Sequence, residues 1–134
     1  MGGVKGKFDL EEVKRLITLY WKGNSSTLWF SARSRSIDSV IKVLLCNETE
    51  AEKTILDGLM KLKNTDFCRS KMQWDTIVDE YGLEDYHDLN WYIKFSICHD
   101  DGQNTLEQIS FHPLEKEMRL IDERNLKVTS KNRE

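Results

Sequence analysis

A single proline, Pro113, interrupts the 134 residues of this chain, so few backbone kinks are fixed in advance. Cysteine is scarce too. Cys46, Cys68 and Cys98 are odd in number and widely spaced, with no C-x-x-C pair, which argues against a disulfide framework and against a zinc ribbon. They are expected to be buried free thiols, packing as small hydrophobes. No run of about 18 apolar residues is available to cross a bilayer, and Met1 to Phe8 holds Gly and Lys without the apolar stretch of a secretion signal. A cytoplasmic protein without a membrane partner is the expectation. Positive charge is in deficit, 20 Lys and Arg against 23 Asp and Glu, but unevenly: residues 1–46 carry eight basic and four acidic side chains, residues 47–134 twelve and nineteen. Nucleic-acid affinity rests largely on phosphate contacts, so any positive footprint here must be local.

What remains is the composition of an ordinary globular domain, 39% hydrophobic and 32% charged, and the length suits one domain over 1–134, with its core at about 8–121 and residues 130–134 frayed. Asp9, Glu12, Phe8 and Val13 have the spacing of a capping box with a hydrophobic staple, opening a helix from Leu10 to Lys22 that Gly23 is placed to end. A short apolar stretch, Leu28 to Phe30, precedes a second helix. Ser36 is placed to cap it, and Ile37, Val40, Ile41, Leu44 and Leu45 form its buried side. Thr49 and Glu52 suggest the start of a third helix through Ala51, Ile55, Leu59 and Leu62.

Beyond Thr65 the period changes. Phe67 to Met72 reads as a strand, and Asp75 to Asp88, with six carboxylates and no Lys or Arg, reads as an acidic connector. Trp91 to Cys98 and Leu106 to His112 alternate as a hairpin around the loop His99 to Thr105, and Glu117 to Ile121 and Leu126 to Thr129 suggest short edge strands. Helices first and strands afterwards predict an α+β fold, with N-terminal helices on one face of an antiparallel sheet and the other face open.

Strand alternation puts Trp91, Ile93, Phe95 and Ile97, with Ile109 and Phe111, toward the helices. Tyr92, Lys94, Ser96 and Cys98, with Gln108, Ser110 and His112, take the opposite face, which concentrates groups able to bind phosphate or move protons. The same pattern also describes a simple solvated sheet face. His99 beside Cys98, Asp100 and Asp101 lacks a spaced second ligand pair, so no metal is expected. His87 is expected to face solvent. Trp29 to Arg35 interleaves aromatics with Arg33 and Arg35, a combination suited either to RNA or to a buried aromatic followed by a solvated basic turn.

Several short motifs converge: Asp66-Phe67-Cys68-Arg69-Ser70-Lys71-Met72, Asp79-Glu80-Tyr81, Trp91-Tyr92-Ile93-Lys94-Phe95 and Ile109-Ser110-Phe111-His112. With the first helix, they resemble the MqsR family of bacterial toxins over roughly Phe8 to His112. That resemblance implies a RelE-like fold, metal-independent and cofactor-free cleavage of mRNA through the 2′-hydroxyl, and a cognate antitoxin as partner. Carried over by position, Tyr92 matches the family's tyrosine, and Arg69 stands in place of a lysine, keeping the charge but losing an amine able to release a proton. His112 stands in place of a second lysine, and an imidazole can serve as acid or base. The family's glutamine falls at Val78, which cannot donate a hydrogen bond. The resemblance thus implies Tyr92, His112 and Arg69 for catalysis, and the residues themselves offer Lys94, Arg33 and Arg35, with Arg69, as a positive track for RNA phosphate. Val78 and the net negative charge favour a second reading, a RelE-like module that has lost hydrolysis and regulates a protein or RNA partner.

Overall fold

A computed structural model describes residues 6–31 and 34–129, so Arg33 lies outside the described residues. Asp9 caps the first helix, α1 (Leu10–Trp21), by accepting a hydrogen bond from the Glu11 amide, and Leu10, Val13, Leu16 and Ile17 form its buried stripe. Glu12 closes no capping box; its carboxylate takes hydrogen bonds from Arg15 and from the distant Asn104. Gly23, at φ 108°, adopts the left-handed conformation that stops a helix. α2 (Ser36–Leu44) has Arg35 at its cap position with no side-chain cap bond, so Ser36 is its first residue and not its cap; it ends where Leu45 turns left-handed, and Leu45 is 88% exposed rather than part of the buried side. α3 (Glu48–Met60) begins ahead of Thr49 because Asn47 and Glu50 form the reciprocal capping box.

Five strands follow the order β1 (Leu28–Phe30), β5 (Gln103–Pro113), β4 (Leu89–Asp100), β3 (Thr76–Tyr86), β2 (Phe67–Gln73). All neighbours are antiparallel except β1 beside β5, so the architecture is α+β with a mostly antiparallel sheet. The stretch expected as an acidic connector is instead β3, an interior strand. Tyr81 and Leu83 carry it into the core, and its carboxylates are either matched by donors or placed at strand ends. Asp79, fully buried, accepts from the amides of Lys7 and Phe8 at 3.2 and 2.9 Å and from the Ser70 hydroxyl. Asp75, Glu84, Asp85 and Asp88 sit at the exposed ends.

Each hairpin turn, at Trp74-Asp75, His87-Asp88 and Asp101-Gly102, has two successive positive φ values: 51° and 63°, 52° and 64°, 53° and 74°. This is the type I′ arrangement, whose twist matches that of paired strands. The loop expected over 99–105 accordingly shrinks to Asp101-Gly102, because pairing continues out to Asp100 and Gln103. His87 is exposed in its turn.

The helices cover one face. Trp91, Ile93, Phe95, Leu106 and Phe111 from the sheet are fully buried with Ile17, Ile55 and Leu59 from the helices, each contributing about 1.5–3 kcal/mol by leaving water. The opposite face is not left open. Met118, Leu120 and Leu126 join Leu114 in a second small core on that side, with Cys68 and Tyr92 packed against it. The two expected edge strands pair with each other instead, as β6 (Met118–Arg119) and β7 (Asn125–Leu126). The Ile121 amide bonds to Phe67 O at 2.7 Å, and the Arg124 guanidinium reaches Asp66 at 2.7 Å and Glu84 at 3.1 Å, which fastens this flap to the sheet.

Gly82 admits the flap. A Cβ there would lie 2.8 Å from Leu126 Cδ1 and 2.9 Å from Met118 Sδ. Gly82→Val is therefore expected to lose about 1–3 kcal/mol through overpacking, with faster proteolysis inside 114–126. An unchanged urea midpoint and cleavage pattern would contradict this packing. The cysteines are free, but half-buried rather than buried. Among the described residues no helix is long and apolar enough to cross a membrane.

Candidate active site

Two bulges decide which side chains share the second face of the sheet. In β2 the register shifts between Phe67 and Arg69, so Arg69 stands opposite Glu80. In β5 the register shifts opposite Lys94 and Phe95, where Ile109 is the additional residue. Ser110 and His112 consequently pair with Lys94 and Tyr92, as alternation predicts, whereas Gln108 pairs with Phe95 and is fully buried. The expected place of Gln108 on the polar face is thus corrected: Glu107 takes it, opposite Ser96, and Ile109 is only half-buried.

Two adjacent rows result. Arg69, Glu80, Lys94 and Ser110 form one across β2 to β5, and Gly82, Tyr92 and His112 form the next. Directly opposed side chains on neighbouring strands lie about 5 Å apart at Cβ, so these groups interact.

Glu80 is the hub. Its side chain, only 4% exposed, accepts from Arg69 Nε at 2.8 Å, Lys71 Nζ at 3.0 Å and Tyr92 Oη at 2.6 Å. Burial opposes its ionisation, but the hydrogen bonds from Tyr92, Arg69 and Lys71 outweigh burial and hold its pKa below the ordinary carboxylate value. Burial, reinforced by Glu80, pushes the Tyr92 phenol far above its usual pKa, so it stays protonated. Lys94 donates to Gln73 Oε1 at 2.8 Å, and burial, with Lys71 nearby, lowers its pKa.

His112 stacks on Tyr92 with ring centroids 5.1 Å apart and an interplanar angle of 32°. Its Nδ1 lies 2.7 Å from Pro113 O. A carbonyl can only accept, so the proton resides on Nδ1 and the lone pair of the neutral ring on Nε2. The imidazole lies where two clefts meet. The larger, about 990 Å³, brings His112 and Lys94 together with Arg35, Lys42 and Trp74. The smaller, about 510 Å³, brings His112 together with Arg69, Lys71, Glu80 and Tyr92 under the flap residues Lys116 and Arg119.

Of the residues singled out in the sequence, Tyr92, His112, Arg69, Lys94 and Arg35 therefore converge on these clefts, while Arg33 falls outside the described residues. Val78 is buried, 1% exposed, and presents nothing to either cleft. Glu80, Lys71 and Trp74 carry no role in the sequence reading. Lys71 shares strand parity with Arg69, which is a legible signal; Glu80 is hidden by the acidity of its segment. His99 is exposed at the far end of the hairpin, its Nδ1 2.7 Å from Asn104 Oδ1. Among the described residues no group of three His, Cys, Asp or Glu is arranged to hold a metal ion.

Comparison with family models, curated proteins and solved structures finds no match. The site can deliver cations to both sides of an anion and an imidazole with one nitrogen anchored and the other available, while the Tyr92 hydroxyl is committed to Glu80.

Proposed function

We propose that this protein is a metal-independent endoribonuclease of the RelE-like toxin type, cleaving mRNA and restrained by a cognate antitoxin. The observation that carries the reading is His112, oriented by Pro113 O and Tyr92 and flanked by Lys94 and Arg35 on one side and Arg69 and Lys71 on the other. The MqsR resemblance supports the same assignment and the RelE-like fold.

In this reading the backbone phosphate lies beside His112 where the two clefts meet, with Lys94 on one side and Arg69 and Lys71 on the other. His112 Nε2 takes the proton of the 2′-hydroxyl, and the 2′-oxygen attacks phosphorus. The P–O5′ bond breaks, and Lys94, whose lowered pKa makes it the better acid, protonates the departing oxygen. A 2′,3′-cyclic phosphate and a 5′-hydroxyl result. Arg69 and Lys71 offset the charge that gathers on the pentacovalent phosphorus, and Glu80 and Tyr92 position those cations and the imidazole.

Incubating the purified protein with mRNA in EDTA tests this. Fragments ending in 2′,3′-cyclic phosphate are the expected result; intact RNA overturns the enzyme assignment. Glu80 neutralises part of the charge of Arg69 and Lys71, and this favours a second reading, a RelE-like module that binds RNA or a protein partner without cutting it. Binding of RNA with no fragments would select that reading.

A further inference from the structure

We propose that Trp74 is a nucleobase platform: its indole, at the tip of the β2–β3 hairpin, stacks on an unpaired base beside the phosphate bound at Lys94. This rests on the RNA reading above and adds a subsite to it.

Trp74 sits at the first central position of a type I′ turn, with φ at 51°. Asn, Asp and Gly suit that left-handed backbone; a bulky side chain crowds its own carbonyl there. The other two turns carry His-Asp and Asp-Gly. Trp74 is also 68% exposed, against 47% for Trp21, 46% for Trp29 and complete burial for Trp91. A strained backbone and a large apolar surface in water both work against folding, and side chains that break local rules in this way concentrate at functional sites.

Position supplies the ligand. Trp74 lines the same cleft as Lys94, His112, Arg35 and Lys42, and its neighbour Gln73 holds the Lys94 ammonium at 2.8 Å. A flat aromatic surface beside a cationic track is the arrangement that binds single-stranded nucleic acid, because every base has a π-face and every nucleotide a phosphate. Paired bases are stacked inside a duplex and cannot reach the indole, so the substrate is single-stranded at the cleavage point.

The test uses the full chain and a fluorescent oligoribonucleotide carrying 2′-O-methyl groups throughout, which removes the nucleophile. Trp74→Gly relieves the backbone strain, so its thermal midpoint should equal or exceed that of the wild type. Its affinity for the oligonucleotide should still fall roughly ten-fold or more, while Trp74→Phe keeps most of it. With an oligonucleotide of abasic residues, Trp74→Gly and the wild type should bind equally. Equal binding of the base-bearing strand by wild type and Trp74→Gly, an equal loss on the abasic strand, or no binding by the wild type overturns the platform. A wild-type protein that binds this strand through Trp74 yet leaves ordinary mRNA intact overturns the nuclease reading and keeps the platform.

Discussion

His112→Ala is expected to lower the rate of RNA cleavage by about 10²–10⁴-fold, the usual loss when a positioned proton carrier is removed. Affinity for an uncleavable 2′-O-methyl strand should change far less, because the cations Lys94, Arg35, Arg69 and Lys71 remain. In the proposed mechanism the effect falls on proton transfer: Nδ1 is committed to Pro113 O, which leaves Nε2 to take the proton, and the Tyr92 ring fixes the plane. The ring is partly buried against Tyr92, so a small fall in the urea midpoint is expected, and rates are to be compared where both proteins are fully folded. Single-turnover cleavage assays on matched wild-type and variant protein decide the matter. Undiminished cleavage by His112→Ala would remove the imidazole from the mechanism, and a parallel loss of binding would reduce it to an RNA contact.

The other large effect is expected at Glu80. Glu80→Ala strips the acceptor from the Tyr92 hydroxyl and leaves Arg69, Lys71 and Lys94 facing one another without their shared counter-charge. The Arg69 and Lys71 sides of the pairs are 63% and 38% exposed, so water screens much of that attraction; the Tyr92 bond is the more sheltered part. A loss of about 2–3 kcal/mol is expected, less for Glu80→Gln, which still accepts from Tyr92.

The pH dependence has a definite sign. The folded pKa of Glu80 is lowered, so its contribution is present above the unfolded value of about 4.3 and disappears as pH falls through the folded pKa. Urea unfolding across about pH 3–7 should therefore show the wild type losing more stability toward acid than Glu80→Gln. Parallel curves would mean that the carboxylate is not stabilised by these partners. Cleavage should fall in Glu80→Ala as well, since Tyr92, no longer tethered, ceases to fix the His112 ring.

Much of the site was legible in the residues. Trp91 to Cys98 alternates cleanly, and the structure puts Tyr92 and Lys94 on the side opposite Trp91, Ile93 and Phe95. Phe67 to Met72 is a strand, as its composition suggests, and Arg69 and His112 reach the same cleft. Glu80 was hidden because a carboxylate-rich stretch looks like solvated linker until its partners are known: Asp79 depends on the amides of Lys7 and Phe8, and Glu80 on Arg69, Lys71 and Tyr92. Gln108 was placed on the wrong face because a bulge at Ile109 has no mark in one strand alone; it exists only against the register of Lys94 and Phe95.

By itself, then, the sequence determined the three helices to within a few residues, Asp9 as the cap of the first, the two-sided character of β4, and the candidacy of Tyr92, Lys94 and His112. These follow from local geometry, the 3.6-residue and two-residue repeats that any chain obeys. Only the tertiary structure decided that β3 runs inside the sheet between β4 and β2, that a C-terminal flap covers part of the second face, and that Glu80, Lys71 and Trp74 stand with the predicted residues around His112. Those placements come from cross-strand pairing and from carboxylates matched with donors far away in the chain, and neither leaves a periodic trace in the segment it shapes.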